Sequence, residues 1–398
     1  MAALFEKLDN SLPMRRKWIS VNTPTTDETL CFVLVSYNIL ADCHVSSQTY
    51  PYLPKGYRNM TERHPQILKE LLYHHDADVI CLQEVNPDYF EELLAPTLSK
   101  NGYKGLQCNK SLGVDEGPAV FYKECIFDLL KYEVVHFKDQ IQKELKRMSL
   151  PACQVELVLE RTRKETVMML LQLQSKRTGQ ILNLGNMHAF WMNHIAMDVV
   201  TLQVGLAVNA LVQFANDVNS ALILCGDFNT EPQMPAYELL QDGYLSNQSI
   251  QTLQRFTIAP KDDPTKCFAL PDVIPSCFQH PVKSLQSAYK TVVGDEVPFS
   301  QFHDPDGLEW IKHQDMETRG ESKRASHCGI SNSSTANGKQ IRALDYFWFS
   351  AKSLSCQGVL EMVASDVLAA LYACPNTVFP SDHLLMKAKF CFKETLAK

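Results

Sequence analysis

Ser220-Ala-Leu-Ile-Leu-Cys-Gly-Asp-Phe-Asn229 is an apolar, β-rich run that stops abruptly at a glycine and two polar groups. Five apolar residues bounded by turn formers read as a buried strand, and Gly226 to Asn229 as the loop it feeds. Asp227 and Asn229 stand two apart, so in extended chain both side chains face one way. A carboxylate beside a carboxamide suits a hydrated cation, a phosphate oxygen or an attacking water. An Asx-turn after a strand uses the same residue types, and on its own this pair fits either reading.

Two further junctions of this kind lie far away in the chain. Asp78-Val-Ile-Cys-Leu-Gln-Glu84 is a second buried strand, closed by a carboxylate. A charge at the end of such a strand is costly unless a cation or donor meets it. Glu84 alone fits equally the start of the helix expected from Pro87. Phe379-Pro-Ser-Asp-His383 precedes a third apolar strand, and its imidazole at a strand mouth can hold a proton or a phosphate oxygen. Asp345, in Leu344-Asp-Tyr346, is the candidate carboxylate to orient His383. His188 closes the strand that starts at Ile181, where a hydrogen-bonded structural histidine is the commoner case.

Between these junctions, strands and helices alternate. Cys31 to Asn38 and Gly117 to Tyr122 read as strands, Arg63 to Tyr73 and Pro87 to Ser99 as helices, and Ala196 to Val218 as a long helix. Gln154 to Glu160 and Val167 to Gln174, separated by the charged run Arg161 to Glu165, read as a hairpin. Leu344 to Ser350 and Leu384 to Phe392 supply late strands. The pattern implies layered sheets with covering helices. Residues 1–29 read as an N-terminal extension and 30–395 as one domain. Within it, the polar stretch near 301–340 is too poor in apolar residues to offset its ordering entropy, so it reads as a mobile surface insertion.

Composition sets limits. With 398 residues, 45% hydrophobic and 21% charged, the chain has the make-up of a folded globular protein. No apolar run approaches a membrane span of ~20 residues, so no membrane partner is expected. A formal net charge of -7 argues against binding nucleic acid through bulk charge, though a local basic groove or a metal can still serve a nuclease. Thirteen scattered cysteines without zinc spacing read as reduced, buried hydrophobes, and with no signal-peptide core the expected location is intracellular, with mitochondria left open. Neither a Gly-rich phosphate loop nor HExxH appears. Hard oxygen donors therefore point to Mg²⁺, or Mn²⁺ in its place.

Taken in order, Ser36-Tyr-Asn-Ile-Leu-Ala-Asp42, Asp78 to Val85, Gly117 to Tyr122, Cys225-Gly-Asp-Phe-Asn-Thr-Glu-Pro232, Ser287-Ala-Tyr289, Leu344-Asp-Tyr346 and Pro380-Ser-Asp-His383 resemble the endonuclease/exonuclease/phosphatase superfamily. The likeness is to its RNA-directed branch of carbon-catabolite-repression deadenylases, nocturnin, Angel proteins and 2′,5′-phosphodiesterase. It implies a deoxyribonuclease I-like four-layer α/β sandwich, two mixed β-sheets packed face to face with helices outside. It further implies Glu84 as main Mg²⁺ ligand, helped by Asn38 and Asp382. Asp227 then activates water, Asn229 holds it or a phosphate oxygen, and His188 and the His383–Asp345 pair steady phosphoryl charge.

The activity so implied is Mg²⁺-dependent hydrolysis of RNA or oligoadenylate from a 3′ end, as a deadenylase or 2′,5′-phosphodiesterase. Alternatives are a phosphatase for terminal or 2′,3′-cyclic RNA phosphates or a nucleotide cofactor, and a non-catalytic RNA scaffold. Met187-His188-Ala189 replaces the family's usual Thr-His-Leu. Trp191, which fits core packing at least as well as base stacking, is followed by Met192-Asn193 where relatives carry Asp-Pro or His-Pro. Arg58, Arg63, Lys104, Lys110 and the run Lys143 to Arg147 are candidate basic contacts, each reading first as a solvated charge.

Overall fold

In the computed structural model, described for residues 15–23, 27–74, 77–111, 113–261, 263–303, 340–362 and 374–393, the apolar runs form strands. In chain order these begin with β1 (Trp18–Ser20), β2 (Cys31–Asn38), β3 (Val79–Val85), β4 (Tyr103–Gln107), β5 (Gly117–Lys123), β6 (Phe127–His136), β7 (Val167–Ser175) and β8 (Ile181–His188). There follow β9 (Ala221–Asp227), β10 (Leu285–Ser287), β11 (Gln301–His303), β12 (Gln340–Arg342), β13 (Asp345–Ser350), β14 (Leu354–Leu360) and β15 (Met386–Phe392).

One sheet has seven strands in the order β1-β14-β15-β2-β3-β5-β4, and the other six in the order β10-β13-β9-β8-β7-β6. Each is mixed, since β2 runs parallel to β3 and β8 parallel to β9, whereas β3–β5 and β7–β8 are antiparallel. Alternation along the strands builds the layers. Phe32, Leu34, Val79 and Cys81 point inward to meet Met168, Leu170 and Leu184 of the other sheet. Val35, Tyr37, Ile80 and Leu82 point outward and pack with Met60, Ile67, Leu94 and Leu98 of helical segments. Helix Met197–Ala215 covers the second sheet. That is the four-layer sandwich, with its cleft where the strand ends of the two sheets meet.

Helix Met197–Ala215 also corrects the reading that no apolar run approaches a span. By length and composition it qualifies, yet 78% of its apolar window is buried, as in a core helix.

Other differences have local causes. Gln154 to Glu160 is not a strand, because Ala152–Thr162 is α-helical and buries Val158 and Thr162 at i, i+4. Its Glu, Leu and Arg content favours helix over the apparent alternation Val155-Glu156-Leu157. The strand β7 instead pairs with β6, an edge strand absent from the reading above. Residues Trp18–Ser20, placed in an extension, pair with β14 and enter the first sheet. Cys31 and Cys391 stand directly opposite on β2 and β15 and form a disulfide, which corrects the reading that all cysteines are reduced thiols. Most of the polar stretch 301–340 lies outside the described residues, and its ends pair as the two-stranded ribbon β11-β12.

Arg63 is no surface contact either. Its side chain is fully buried and donates to the carbonyls of Ile39, Leu40 and Pro380 and to Asp42 Oδ1. These acceptors belong to the loops that follow Asn38 and precede Asp382, so one guanidinium braces both. Arg63→Met leaves those carbonyls unpaired and should destabilise the fold by roughly 3–5 kcal/mol, read as a lower urea midpoint at unchanged slope.

Candidate active site

Strand register places three of the predicted residues in one row. Asp345 on β13 stands opposite Asp227 on β9, which stands opposite His188 on β8. The carboxylate Oδ2 of Asp345 accepts from His383 Nδ1 at 2.8 Å and from the Ser300 hydroxyl at 2.7 Å. His383 Nε2 and His188 Nε2 each lie 3.6 Å from Asp227 Oδ2. From the other sheet, Asn38 Nδ2 donates to Asp227 Oδ2 at 3.1 Å and to Glu84 Oε1 at 2.9 Å. One carboxamide thus joins the strand ends of both sheets. All these side chains are buried; Glu84, His188, Asp227 and His383 line a cleft of about 610 Å³, and Asn38, Asp345 and Ser300 stand behind them.

Local backbone geometry aims them. Gln83 points inward, where its amide bonds Asn186 of the facing sheet at 2.7 Å. Strict alternation would then send Glu84 outward, into the helical layer. Instead the β3–β5 register slips between Leu82 and Val85, and Glu84 takes a left-handed φ of 59°, which turns its carboxylate toward the cleft. Glu84 Oε2 accepts there from the backbone N–H of Ala41 at 3.0 Å. Leu40 and Asn229 also have positive φ, 60° and 46°. Non-glycine residues rarely adopt this conformation, and it concentrates where function demands a particular aim. Gly226 is required, because a Cβ there would sit 2.0 Å from the Met187 carbonyl.

Asn229 makes the Asx-turn, and makes it within the cleft. Its backbone N–H donates to Asp227 Oδ1 at 2.9 Å, an Asx-turn, while its amide donates to the Ala189 carbonyl and both residues line the cleft. Asp382 lines it too. Its Oδ2 accepts from Gln301 Nε2 at 3.1 Å, and its Oδ1 is buried without a hydrogen-bond partner. Trp191 stands at the mouth, 63% exposed.

Charge is distributed unevenly. Burial, reinforced by Asp345, pushes Asp227 up to about 7. Burial opposes charging His383, but Asp345 and Asp227 outweigh it and hold that imidazole well above its ordinary value. His188 goes the opposite way, pushed well below by burial and then by the Lys110 ammonium.

Sequence reading missed part of the site. Lys110, expected as a solvated charge, is 8% exposed and ion-paired to Glu116, with its Nζ 3.2 Å from His188 Nδ1. Burial would raise Glu116, but His44 and Lys110 hold it down at about 2. His44, lifted to about 11 by Cys43 and Glu116, lies 3.9 Å from Glu84 Oε2. Ser300 and Gln301 were likewise unmarked. None of these sits in a motif, so only their strand neighbours carried any signal.

The donor set fits a hard divalent cation. Among the described residues, Glu84 has amide donors but no lysine or arginine in ion-pair range, and Asp382 Oδ1 has no hydrogen-bond partner. Asp227, Asp345 and His383 also cluster closely enough to hold an ion. Asp345 Oδ2, however, already accepts from His383 and Ser300 and Asp227 Oδ2 from Asn38, with His383 Nε2 at 3.6 Å from Asp227, which marks the group as a charge-paired relay.

A family model described as the endonuclease/exonuclease/phosphatase family matches residues 35–383. The chain belongs to that family. Over 377 residues it is 29% identical to carbon catabolite repressor protein 4 homolog 1 of Arabidopsis thaliana, covering 90% of this chain and 57% of that protein. It is 26% identical to the CCR4-Not complex 3′-5′-exoribonuclease subunit Ccr4 of Candida glabrata, covering 91% of this chain and 37% of the relative. The chain therefore spans between about a third and three-fifths of these two relatives. Among solved structures, ANGEL2, a 2′,3′-cyclic phosphatase in complex with adenosine-2′,3′-vanadate, matches with a TM-score of 0.67 at 22% identity, over 96% of this chain and 99% of that one. The human Nocturnin catalytic domain with bound sulfate matches at 0.56 and 19%, with the same coverages. The two solved structures share the sandwich fold, and the two relatives bear names of the branch that the motifs resemble.

Proposed function

We propose that the chain is a Mg²⁺-dependent phosphodiesterase that shortens RNA or oligoadenylate from the 3′ end. The row Asp345–Asp227–His188, facing Glu84 and Asn38 across one cleft, carries this reading. In-line hydrolysis needs a base for water, donors for the phosphoryl oxygens and neutralisation of charge, and these residue types supply the first two. Asp227 takes the proton of the attacking water on its carboxylate, poised near neutrality by burial. Asn229 orients water or phosphate through its amide, and Asn38, whose two amide protons go to Glu84 and Asp227, positions those carboxylates. His383 holds its Nδ1–H on Asp345 and presents Nε2–H to the developing phosphoryl charge. Glu84, with Asn38 and Asp382, would hold the cation, which when bound supplies positive charge against the phosphoryl and departing oxygens.

A nucleic-acid substrate is favoured by what borders the row. A second cleft of about 330 Å³ shares Trp191, Asn229 and Gln301 with the first and adds Asn193 and Arg342. Trp191 offers an exposed ring, and both polar atoms of the Asn193 amide are buried without a partner. Arg163 and Lys164 line the first cleft, with Lys164 Nζ 4.5 Å from the centroid of the Phe190 ring. An aromatic platform with cations nearby suits a stacked base and its phosphates.

The deciding assay incubates the protein, with Mg²⁺ or with EDTA, with 3′-oligoadenylated RNA, 2′,5′-oligoadenylate and 2′,3′-cyclic-phosphate RNA. Metal-dependent shortening of either oligoadenylate is the expected result. Phosphate chemistry at the cyclic end alone would replace this reading with the phosphatase one. Trp191→Ala should lower kcat/KM on RNA by about 10- to 100-fold, the worth of one stacked base. The same variant should leave hydrolysis of bis(4-nitrophenyl) phosphate, which has no base, nearly unchanged.

A further inference from the structure

We infer that Lys110, held by Glu116, is a positioning residue that fixes His188 as the tautomer with its proton on Nε2. The inference concerns the same reaction and rests on the proposed phosphodiesterase reading for its consequence, though not for its geometry. An ammonium has three protons and no lone pair. At 3.2 Å from Lys110 Nζ, His188 Nδ1 can only be the acceptor, so the ring proton is on Nε2. That nitrogen points at the reaction site, 3.6 Å from Asp227 Oδ2 and 3.9 Å from Glu84 Oε1.

The clamp is built rather than incidental. Lys110 is 8% exposed and Glu116 2%, and their side chains form an ion pair. The backbone N–H of Lys110 also donates to the Glu116 carbonyl at 3.2 Å, so main chain and side chain close the same short loop. Glu116 adjoins β5, whose Gly117 can carry no side chain, since a Cβ there would fall 1.8 Å from the Cys108 carbonyl. Lys110, in the connection after β4, is thereby tied back to Glu116 at the start of β5.

The consequence is a division of labour around Asp227. His383 meets a carboxylate through Nδ1, and His188 meets an ammonium through Nδ1. Both therefore present Nε2–H toward Asp227 and the phosphate, from opposite sides. His188 cannot receive the water proton at Nε2, which is occupied, or at Nδ1, which faces Lys110. That proton is left to Asp227, and His188 serves as a hydrogen-bond donor.

Long-range ¹H–¹⁵N spectra of the full chain labelled with ¹⁵N-histidine test this without turnover, with His188→Gln identifying the resonances. The expected result is a pyrrole-type Nε2 and a pyridine-type Nδ1 in the wild type and in Lys110→Arg. In Lys110→Met and Glu116→Gln that preference should relax toward a tautomer mixture. A proton on Nδ1, or on both nitrogens, in the wild type would overturn the inference. So would a Lys110→Met spectrum identical to wild type. In kinetics Lys110→Met should lower kcat about 10- to 100-fold at little change in KM, with partial recovery in Lys110→Arg. A pure rise in KM would instead make Lys110 a substrate contact and refute the positioning role. Should no substrate be cleaved by any form, the spectra still decide the tautomer, and the reaction reading fails separately.

Discussion

Asp227→Asn is expected to fold as the wild type does and to lose hydrolysis by on the order of 10³-fold, about 4 kcal/mol of barrier. The substitution keeps shape. Asn can still accept the Asn229 N–H at the Oδ1 position, so the Asx-turn and the Gly226 bend are retained. What goes is basicity, together with the negative charge between His383 and His188. The new amide NH2, however, replaces the Oδ2 that accepts from Asn38 and faces two imidazole Nε2 groups, so the variant should lose about 1–3 kcal/mol of stability while staying folded. The paired measurement is therefore thermal unfolding beside single-turnover cleavage. A fall in rate far larger than this modest fall in Tm explains is the expected pattern. Loss of less than tenfold would remove Asp227 from the role of base.

Legibility followed how local each signal was. Asp227, Glu84 and His383 could be read because each ends or precedes an apolar strand in one contiguous stretch. The sandwich was legible for the same reason, through the motif order shared with the family. Asp345 needed a partner strand, and the β9–β13 register supplies the opposition to Asp227 that sequence could only suggest. Lys110 and Glu116 were out of reach, since their meaning comes from His188, far along the chain on another sheet. Arg63 was misread because a guanidinium that braces loop carbonyls looks in sequence like any helix-surface arginine. Helix Ala152–Thr162 failed for a different cause. Over seven residues, alternation and helical periodicity are hard to tell apart, and length and propensity must decide.

Glu84 carries the other large prediction, and its outcome separates metal binding from proton transfer. Glu84→Ala should abolish Mg²⁺-supported cleavage, by 10³-fold or more, and should also weaken the cation's effect on stability. A bound divalent ion stabilises the native state by mass action, so the wild type should show a Tm that climbs with Mg²⁺ concentration. In Glu84→Ala that climb should flatten, whereas in Asp227→Asn it should persist in large part. The contrast rests on partners. Among the described residues, Glu84 meets the Asn38 amide, the Ala41 N–H and, at 3.9 Å, the His188 and His44 imidazoles, which leaves lone pairs of its carboxylate open to a cation. Asp227 is already engaged by Asn38, the Asn229 N–H and two imidazole Nε2 groups. Alanine keeps a Cβ at φ 59°, so this backbone strain is the same in both forms, and each form's Mg²⁺ response is read against its own Tm in EDTA. Full Mg²⁺-dependent activity in Glu84→Ala would mean that the cation sits instead among Asp227, Asp345 and His383, and would reverse the assignment of ligand and relay.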